Sequence, residues 1–375
     1  MEVAGNAVGI DLGKRTYEMC LIDQNGKISR TGGKTDFDGI DKLCSKLTQF
    51  DVVAIESCNL AFRIERAIRN KVGCRVCILN PAKLAIIFMS TRKTDKEDSL
   101  KLARILRSHT EDELPLVTPP TDEEWRRRKL LSEYRSLKAL RTKEINRLHA
   151  IFEHNGFTQF TRKDMCIPTN RIKNIDLLKD YEKEEAERLT ERLELLEKQI
   201  EYLVKKINDE CKKDENVQLL MTVPGVGPLT ALSYVAYVGD VSRFENAHQI
   251  SNFIGFVPKV DRSCTINRIG HITKQGNSLL RSLLVQAAWG CVRSNTGGAL
   301  REKYKYMSGE RGKSKGKSIV TIARKLGELL YTLLKNKQIY EIKNFNKPSE
   351  VDISLLSERA LMVANKRTGE NQNFA

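Results

Sequence analysis

The sequence lacks any long hydrophobic run. No stretch of apolar residues approaches the roughly 20 that a membrane-spanning helix needs. The first residues, Met1–Asn6, lack the basic residues that open a signal peptide. Nine cysteines, an odd number, are scattered along the chain, which is typical of a reducing compartment. The sequence therefore predicts a cytoplasmic protein without a membrane anchor.

A zinc-binding pattern is also absent. Cys74 and Cys77 form a CxxC pair, but no second pair of cysteines or histidines follows at the spacing of a zinc site. The neighbouring residues Val76, Ile78 and Leu79 are apolar, as in a buried strand. We therefore expect a structural role for the two cysteines.

What the sequence has in excess is positive charge. Its 375 residues carry 64 Lys and Arg against 48 Asp and Glu, a formal net charge of +16. A basic surface attracts polyanions, which points to nucleic acid as the partner. A structural RNA-binding protein would carry the same excess, so charge alone does not select a function. The apolar fraction of 40% supports packed cores, and the length suits two or three domains.

The first third of the chain alternates strand-like and helix-like segments. Apolar runs typical of strands occur at 7–12, 17–22, 51–56 and 74–79, and a helical pattern occurs at 60–69. Asn25-Gly26 has the composition of a hairpin turn. This order predicts an α/β domain with a mixed sheet. A further helix is expected at 96–107, and prolines between Pro115 and Pro120 mark a linker.

Two long helices are predicted beyond the linker. The first, at 125–157, has nine Lys and Arg but only two Glu between Arg126 and Arg147. The second needs a partner for its apolar seam, either the first long helix of the same chain or another subunit. The spacing of that seam, alternately three and four residues, predicts a coiled coil through Ala186, Leu189, Leu193, Leu196, Ile200, Leu203 and Ile207.

The last globular part is predicted to be mostly helical, with helices at 278–292 and 318–334 and a turn region around Gly255–Gly276. From Lys343 the chain is polar and has no periodicity, which indicates a disordered tail. The predicted architecture is multidomain α/β plus α. Its parts are an α/β domain at 1–112, a linker with the basic helix and coiled coil at 113–214, a C-terminal domain at 215–342 and the tail at 343–375.

Four acidic residues fall at the ends of predicted strands and at one helix start. Asp11 ends the first strand, Glu56 ends the third strand-like run, and Asp95 and Asp98 lie three apart on one face of a helix. Carboxylates at one edge of a sheet supply the oxygen ligands that Mg²⁺ or Mn²⁺ prefers. Two such ions can bracket a phosphodiester during strand cleavage. This order of elements and acids predicts an RNase-H-like nuclease site.

Each acid also has a plain structural explanation on its own. Asp11 could cap a turn, Glu56 could cap the following helix, and the Asp95–Asp98 pair could open a helix near its dipole. The D-L-G segment that starts at Asp11 also opens sugar kinases and actin-like ATPases. Those enzymes need further glycine-rich phosphate loops, and none of that character follows in this sequence.

The sequence resembles the insertion sequence 110 family of transposases in two blocks. The first block resembles that family's N-terminal domain, in VGIDLGK at Val8–Lys14, AIES at Ala54–Ser57 and KTDKEDSLKLA at Lys93–Ala103. The second resembles its C-terminal domain, in PGVGPLTA at Pro224–Ala231, GDVSRFENAHQISNFIGFVP at Gly239–Pro258 and GHITKQGNSLLRSLLVQAA at Gly270–Ala288. The segments run in family order to about Leu334, and pilin-gene invertases belong to the same group.

The resemblance implies a RuvC-type fold for the N-terminal domain, with Asp11, Glu56, Asp95 and Asp98 as its DEDD acids and Mg²⁺ or Mn²⁺ as the cofactor. It also implies that a serine of the C-terminal domain attacks DNA and forms a covalent phosphoserine link. The implied partners are DNA, both element ends and target, and a structured guide RNA from the same element. The seam adds an expected homo-oligomer, a dimer or tetramer.

Ser263 matches the second serine of the family's pair. Arg262 stands at the first serine, and the glycines that follow in the family are absent here. By residue chemistry alone, a loop serine is a weak nucleophile and usually a solvated turn residue. No histidine adjoins it, His271 being the nearest, but bound metals could activate it if two domains or two subunits brought the sites together. Ser251 and Thr265 are the next candidates for the nucleophile.

Several segments are candidates for nucleic-acid contact. The turn Pro224–Gly227 is typical of a helix-hairpin-helix motif, in which backbone N–H groups approach a phosphate, although an ordinary glycine turn between packed helices has the same pattern. Arg301–Lys325 holds nine Lys and Arg, which suits either a solvated loop or phosphate contact. The predicted nucleic-acid-binding residues are Pro224, Gly225, Gly227, Arg262, Lys274, Lys313, Lys315 and Lys317.

Together these features predict a DNA transposase or recombinase that mobilises an insertion sequence in a prokaryotic cytosol or nucleoid. A non-catalytic nucleic-acid-binding protein of the same fold is a second hypothesis, and a RuvC-like nuclease that uses water is a third. The complete set of four acids argues against the second, and the long C-terminal domain argues against the third.

Overall fold

A computed structural model of the chain describes residues 5–87, 95–263 and 266–342, with the backbone alone at 85–87, 95–96, 260–263 and 266–269. The predicted tail at 343–375 lies outside these residues. The chain divides into two compact units, Met1–Thr121 and Asp122–Ala375. None of the helices in the described ranges is both long and apolar enough to cross a membrane.

The first unit is built on a five-stranded mixed sheet of order β3-β2-β1-β4-β5. In this sheet β1 pairs with β2 antiparallel and with β4 parallel, which confirms the predicted α/β domain with a mixed sheet. The elements are β1 (Ala7–Leu12), β2 (Thr16–Ile22), β3 (Ile28–Lys34), α1 (Phe37–Cys44), β4 (Val52–Glu56), α2 (Ala61–Lys71), β5 (Arg75–Leu79), α3 (Pro81–Ile87) and α4 (Asp95–Ser108).

Successive side chains of a strand point to opposite faces of the sheet, so each face packs against a different core. Val8 and Ile10 of β1 pack with Ile64 of α2 on one face. Ala7 of β1 packs with Leu102 of α4 on the other face. A side chain on one face of the sheet therefore packs against α2, and a side chain on the other face packs against α4.

The two cysteines of the CxxC pair lie in different layers of this core. Cys74 belongs to the layer of α2 and Cys77 to the layer of α4, and both are buried free thiols. Burial raises the pKa of the Cys74 thiol to about 11, so it stays protonated and unreactive at neutral pH. Both residues therefore contribute to packing.

The second unit is helical apart from one two-stranded hairpin, as far as the structure describes it. The hairpin replaces the turn region predicted at Gly255–Gly276. The elements are α5 (Asp122–His154), α6 (Arg162–Cys166), α7 (Pro168–Ile175), α8 (Asp180–Lys213), α9 (Glu215–Met221), α10 (Pro228–Val238), α11 (Ala247–Ile254), β6 (Pro258–Ser263), β7 (Ile266–Ile272), α12 (Ser278–Arg293), α13 (Gly298–Ser308) and α14 (Lys315–Asn336).

The long helices α5 and α8 pack against each other within the chain. Arg127, near the start of α5, pairs with Asp214 just after α8, with 2.5 Å between Nη1 and Oδ2. Arg147, near the end of α5, pairs with Glu185 near the start of α8, at 3.1 Å. The two helices are therefore antiparallel. Leu193 of the predicted seam is fully buried in this interface, so the seam has a partner in its own chain.

Helices α9 to α14 surround one core, in which Leu232, Leu284 and Ile322 are fully buried. Leu131 of α5 and Ile207 of α8 belong to the same core. The base of the helical pair is thus continuous with the C-terminal helices, which is why they form one compact unit.

Candidate metal site and nucleic-acid interface

Asp11 and Glu56 are neighbours on the sheet. The parallel register pairs Ile10 with Ile55, so the next residue of each strand lies side by side at the same sheet edge. Asp11 is four residues after Ala7 on β1, and Glu56 is two residues after Ala54 on β4, so each acid lies on the same face of the sheet as that alanine. Both alanines belong to the core layer of α4. The two carboxylates, each half-buried, therefore project from the α4 face.

Helix α4 brings its acidic first turn to the same edge. At its C-terminal end, Arg107 donates to the Asp23 carbonyl at 3.2 Å, close to the start of β1. The helix therefore runs antiparallel to β1, and its N-terminal turn lies towards Asp11. Asp95 and Asp98 are in that turn, Asp95 being described by its backbone alone.

The Asp98 carboxylate is held by a lysine of the same helix. Lys101 Nζ donates to Asp98 Oδ1 at 2.9 Å, and the two side chains are 20% and 27% exposed. Among the side chains that the structure describes, no three His, Cys, Asp or Glu lie close enough together to hold a metal ion. The donors near this edge are carboxylate oxygens, which fit Mg²⁺ or Mn²⁺ and do not fit a thiolate or imidazole metal site.

Two charged residues at this edge, Glu18 and Lys101, are not among the predicted site residues. Glu18 of β2 pairs directly with Asp11 in the β1–β2 register. It shares the parity of Cys20, which packs with Ala103 of α4, so Glu18 is a further acid on the α4 face. The Asn25-Gly26 turn together with strand alternation could have placed it there. Lys101 could have been found from its helical spacing of three residues from Asp98.

The predicted nucleophile lies at the end of the β6–β7 hairpin. Ser263 is the last residue of β6 and pairs with Ile266, and Arg262 pairs with Asn267. The structure describes these residues by their backbone, and Thr265 lies outside the described ranges. Ser263 is thus the last residue of a strand, where the sequence predicted a loop.

The loop that follows this hairpin is ordered by one arginine. Arg281 Nη1 donates to the carbonyl oxygens of Ile254, Gln275 and Gly276 at 2.9, 2.7 and 3.0 Å. Burial lowers the pKa of this guanidinium. Lys274 sits in the loop in the left-handed region, at φ 56°, with its side chain exposed. The loop therefore presents Lys274 to solvent from a fixed backbone.

The Pro224–Gly227 turn joins α9 to α10 and packs on α12. Gly225 has φ 86°, and a Cβ built there would lie 2.4 Å from the carbonyl oxygen of Ala287 and from the amide nitrogen of Cys291. Close helix packing therefore accounts for this glycine. Gly227, before the first residue of α10, has no atom within 4 Å of its Cβ position. Phosphate contact by this turn stays a prediction, which the open side at Gly227 permits.

The basic segment near the C-terminus is largely helical. Its exposed run extends from the loop after α13 into the first turn of α14, and Ser314 caps α14 by accepting from the Lys317 N–H. The side chains of Lys313, Lys315 and Lys317 are all exposed. They form a compact positive end at the N-terminus of a long helix.

Ser251, the alternative nucleophile, is placed differently. Its side chain is buried in α11, and its hydroxyl donates to Glu328 Oε1 of α14 at 2.7 Å. Burial would raise the pKa of Glu328, but hydrogen bonds from Lys325 and Ser251 outweigh burial and lower it. Ser251 is therefore part of an internal polar network, which makes it poorly suited to attack DNA.

Comparison with known proteins agrees with these two blocks of residues. A family model described as the IS116/IS110/IS902 family of transposases matches residues 217–305, and a DEDD transposase model of the IS110 group matches residues 8–154. The chain is 25% identical over 358 residues to the transposase for insertion sequence element IS1111A of Coxiella burnetii, covering 89% of this chain and 90% of that protein. It is 24% identical over 348 residues to the pilin gene-inverting protein of Moraxella lacunata, covering 89% and 97%. The chain belongs to the IS110 family of transposases.

Proposed function

We propose that this protein is a DNA strand-transfer enzyme of an insertion sequence, which cleaves and rejoins strands with a DEDD metal site and a serine nucleophile. The observation that carries the proposal is the sheet edge at which Asp11 and Glu56 lie side by side on the α4 face, with the acidic turn of α4 directed towards them. Strand order β3-β2-β1-β4-β5, with acids at the ends of β1 and β4, supports an RNase-H-like, RuvC-type plan for the first unit.

In the proposed reaction, Asp11, Glu56, Asp95 and Asp98 hold divalent cations through their carboxylate oxygens. Bound Mg²⁺ or Mn²⁺ would supply Lewis acidity at the scissile phosphate. The Ser263 oxygen attacks phosphorus and its proton leaves to solvent or a base, so a serine–phosphorus bond forms. The phosphorus–oxygen bond to the departing sugar breaks, and that sugar oxygen takes up a proton. Attack by another strand's sugar hydroxyl reverses the step and restores the serine.

The remaining residues of the proposal bind nucleic acid. Lys274 is presented by the loop that Arg281 orders, and the lysines at the N-terminus of α14, namely Lys313, Lys315 and Lys317, are exposed. Exposed Lys and Arg side chains attract phosphates without reading base sequence. We include a structured guide RNA among the partners, on the basis of the family resemblance and the net charge of +16. A homo-oligomer is a separate proposal, because the seam of α8 that suggested it packs against α5 of the same chain.

The experiment that tests the proposal traps the reaction on end-labelled element DNA and resolves it on a denaturing gel. We expect a protein–DNA adduct with the wild type in Mg²⁺, and none with Ser263→Ala. Asp11→Asn should lose both adduct and cleavage while keeping its thermal unfolding temperature, and excess chelator should do the same. Ser251→Ala is the matched control and should retain the adduct.

Other outcomes select the other functions. An adduct that persists in Ser263→Ala places the nucleophile elsewhere. Efficient metal-dependent cleavage without an adduct in any variant identifies a nuclease that uses water. Tight DNA binding with neither cleavage nor adduct, at saturating Mg²⁺ and with guide RNA supplied, identifies a non-catalytic binding protein.

A further inference from the structure

The acidic edge of the first unit contains a positive charge of its own. Lys101 Nζ lies 2.9 Å from Asp98 Oδ1, and neither side chain is more than 27% exposed. Most exposed ion pairs at this spacing on a helix contribute little, because water screens both charges. This pair is partly shielded from water, so the lysine interacts more strongly with the carboxylate than it would on an open helix.

The pair also lies on the side of α4 that faces the other acids. Leu102 and Ile105 of α4 pack in the same core layer as Ala54 of β4. Asp98 precedes Leu102 by one helical turn, and Lys101 precedes Ile105 by one turn, so both share this side of the helix. Glu56 projects from the same face of the sheet, at the end of β4 that lies nearest the N-terminal turn of α4.

We propose that Lys101 is the internal counter-ion of the DEDD site and competes with the divalent cation for Asp98. The ammonium group neutralises the carboxylate in the metal-free protein and must give it up when the cation is bound. Lys101 thereby positions Asp98 and sets the cation concentration at which the site fills. This inference rests on the proposed metal site and adds a competing residue to it.

The competition makes an unusual directional prediction. Loss of a side chain near a binding site commonly weakens binding, whereas loss of a competitor strengthens it. Lys101→Met keeps the aliphatic stem and removes the charge, so the dissociation constant for Mn²⁺ should fall. An ion pair of this kind corresponds to a factor of up to about five in affinity. Lys101→Arg keeps a competing charge and should bind Mn²⁺ as the wild type does.

Mn²⁺ binding to the full-length protein is measured from the electron paramagnetic resonance signal of the free ion, and independently by isothermal titration calorimetry. Arg104→Met is the matched control, because Arg104 is an exposed cation on the same helix. A general loss of positive field would raise affinity in both variants. Direct competition raises it in Lys101→Met alone. Lys101→Gln is the second variant, should Lys101→Met fail to fold by circular dichroism.

The outcomes separate this inference from the proposed function. Mn²⁺ binding that Asp98→Asn weakens and Lys101→Met strengthens supports both. Mn²⁺ binding that Asp98→Asn weakens, but that Lys101→Met and Lys101→Gln leave unchanged or weaken, overturns the role of Lys101 and retains the metal site. Equal gains in Lys101→Met and Arg104→Met also overturn it. Failure of the wild type to bind Mn²⁺ overturns the metal site, and this inference with it.

Discussion

Gly9 is the residue that allows α4 to approach β1. A Cβ at this position would lie 2.0 Å from the Ser99 carbonyl oxygen and 2.5 Å from the Ala103 amide nitrogen. Both are backbone atoms, which cannot move aside as a side-chain end can. The absence of a side chain at Gly9 therefore fixes how close the first turns of α4, with Asp98, come to Asp11.

We expect Gly9→Ala to displace α4 and to weaken the proposed metal site. Overpacking of this kind costs about 1–3 kcal/mol, which should appear as a lower thermal unfolding temperature. Mn²⁺ affinity should fall as well, because Asp98 moves with the helix. Gly227→Ala is the control, since no atom lies within 4 Å of its Cβ position. Unchanged Mn²⁺ affinity in a folded Gly9→Ala variant would show that α4 carries no ligand.

For single residues, the sequence was enough to predict the acids at the strand ends, but not the other charged residues around them. Asp11 and Glu56 follow apolar runs, a pattern that is visible in the sequence, and the structure brings them side by side. Glu18 lies in β2, the antiparallel neighbour of β1, so its position depends on the register of the hairpin. A slip of one residue would move its side chain to the other face of the sheet. The position of Lys101 depends on the rotation of α4 about its own axis against the sheet, and tertiary packing sets that rotation.

Among the helices, α5 and α8 are connected through the carboxylate of Glu197, which a buried arginine of α7 also contacts. Arg171 of α7 is fully buried, and its guanidinium donates to both oxygens of Glu197 on α8, at 2.7 and 3.1 Å. Arg141 of α5 donates to the same carboxylate at 2.9 Å. Burial would raise the pKa of Glu197, but the hydrogen bonds from Arg171 and Arg141 outweigh burial and lower it from its ordinary value of 4.5. One carboxylate thus joins three helices.

The lowered pKa makes a prediction about acid stability. A carboxyl group with a lower pKa in the folded state stabilises the fold above its unfolded pKa, and this contribution is lost as pH falls through the folded value. The wild type should therefore lose stability as the pH is lowered past the ordinary range of a glutamate. Glu197→Gln should be less stable than the wild type at pH 7, by about 1.5–3 kcal/mol for charged hydrogen bonds, and should show a smaller further loss in acid.

The measurement is thermal unfolding followed by circular dichroism between pH 3 and pH 7, in steps of about half a unit around the usual glutamate pKa. Glu194→Gln is the matched control, because Glu194 is an exposed residue of the same helix. Its curve should follow that of the wild type. Parallel curves for Glu197→Gln and the wild type would mean that this carboxylate contributes no acid-sensitive stability.

Elements with strong periodicity were predicted well, and polar ones were not. The apolar seam of α8 and the strands of the buried sheet have patterns that follow from burial. Strand β3 was missed because its residues Ile28–Lys34 include serine, arginine, lysine and two glycines on an exposed edge. Its pairing with β2 supplies the backbone hydrogen bonds that hold it. The β6–β7 hairpin was predicted as a turn for the same reason, since cross-strand pairing leaves little trace in a polar sequence.

At the scale of the whole molecule, positive charge and phosphate binding are different quantities. Nine Lys and Arg lie between Arg126 and Arg147 of α5. Four of them, Arg127, Arg128, Arg141 and Arg147, form ion pairs with acids of their own unit. A count of basic residues therefore overstates the number that can release counter-ions from nucleic acid. The exposed lysines at the N-terminus of α14 are better candidates.

Neutralising Lys313, Lys315 and Lys317 together, each to Gln, should weaken nucleic-acid binding about equally for all sequences. Each phosphate that the variant no longer neutralises should flatten the log–log dependence of affinity on salt by about 0.9, so three phosphates correspond to a change of about 2.7. The slope is measured by fluorescence anisotropy of labelled duplex DNA over a series of KCl concentrations. The control is a triple variant of lysines that are already ion-paired on or beside α8, namely Lys183, Lys212 and Lys213. Both variants lower the net charge from +16 to +13, by three charges each. A difference between their slopes therefore reports where the charges lie. Equal slopes would mean that the run at the N-terminus of α14 attracts nucleic acid through net charge alone.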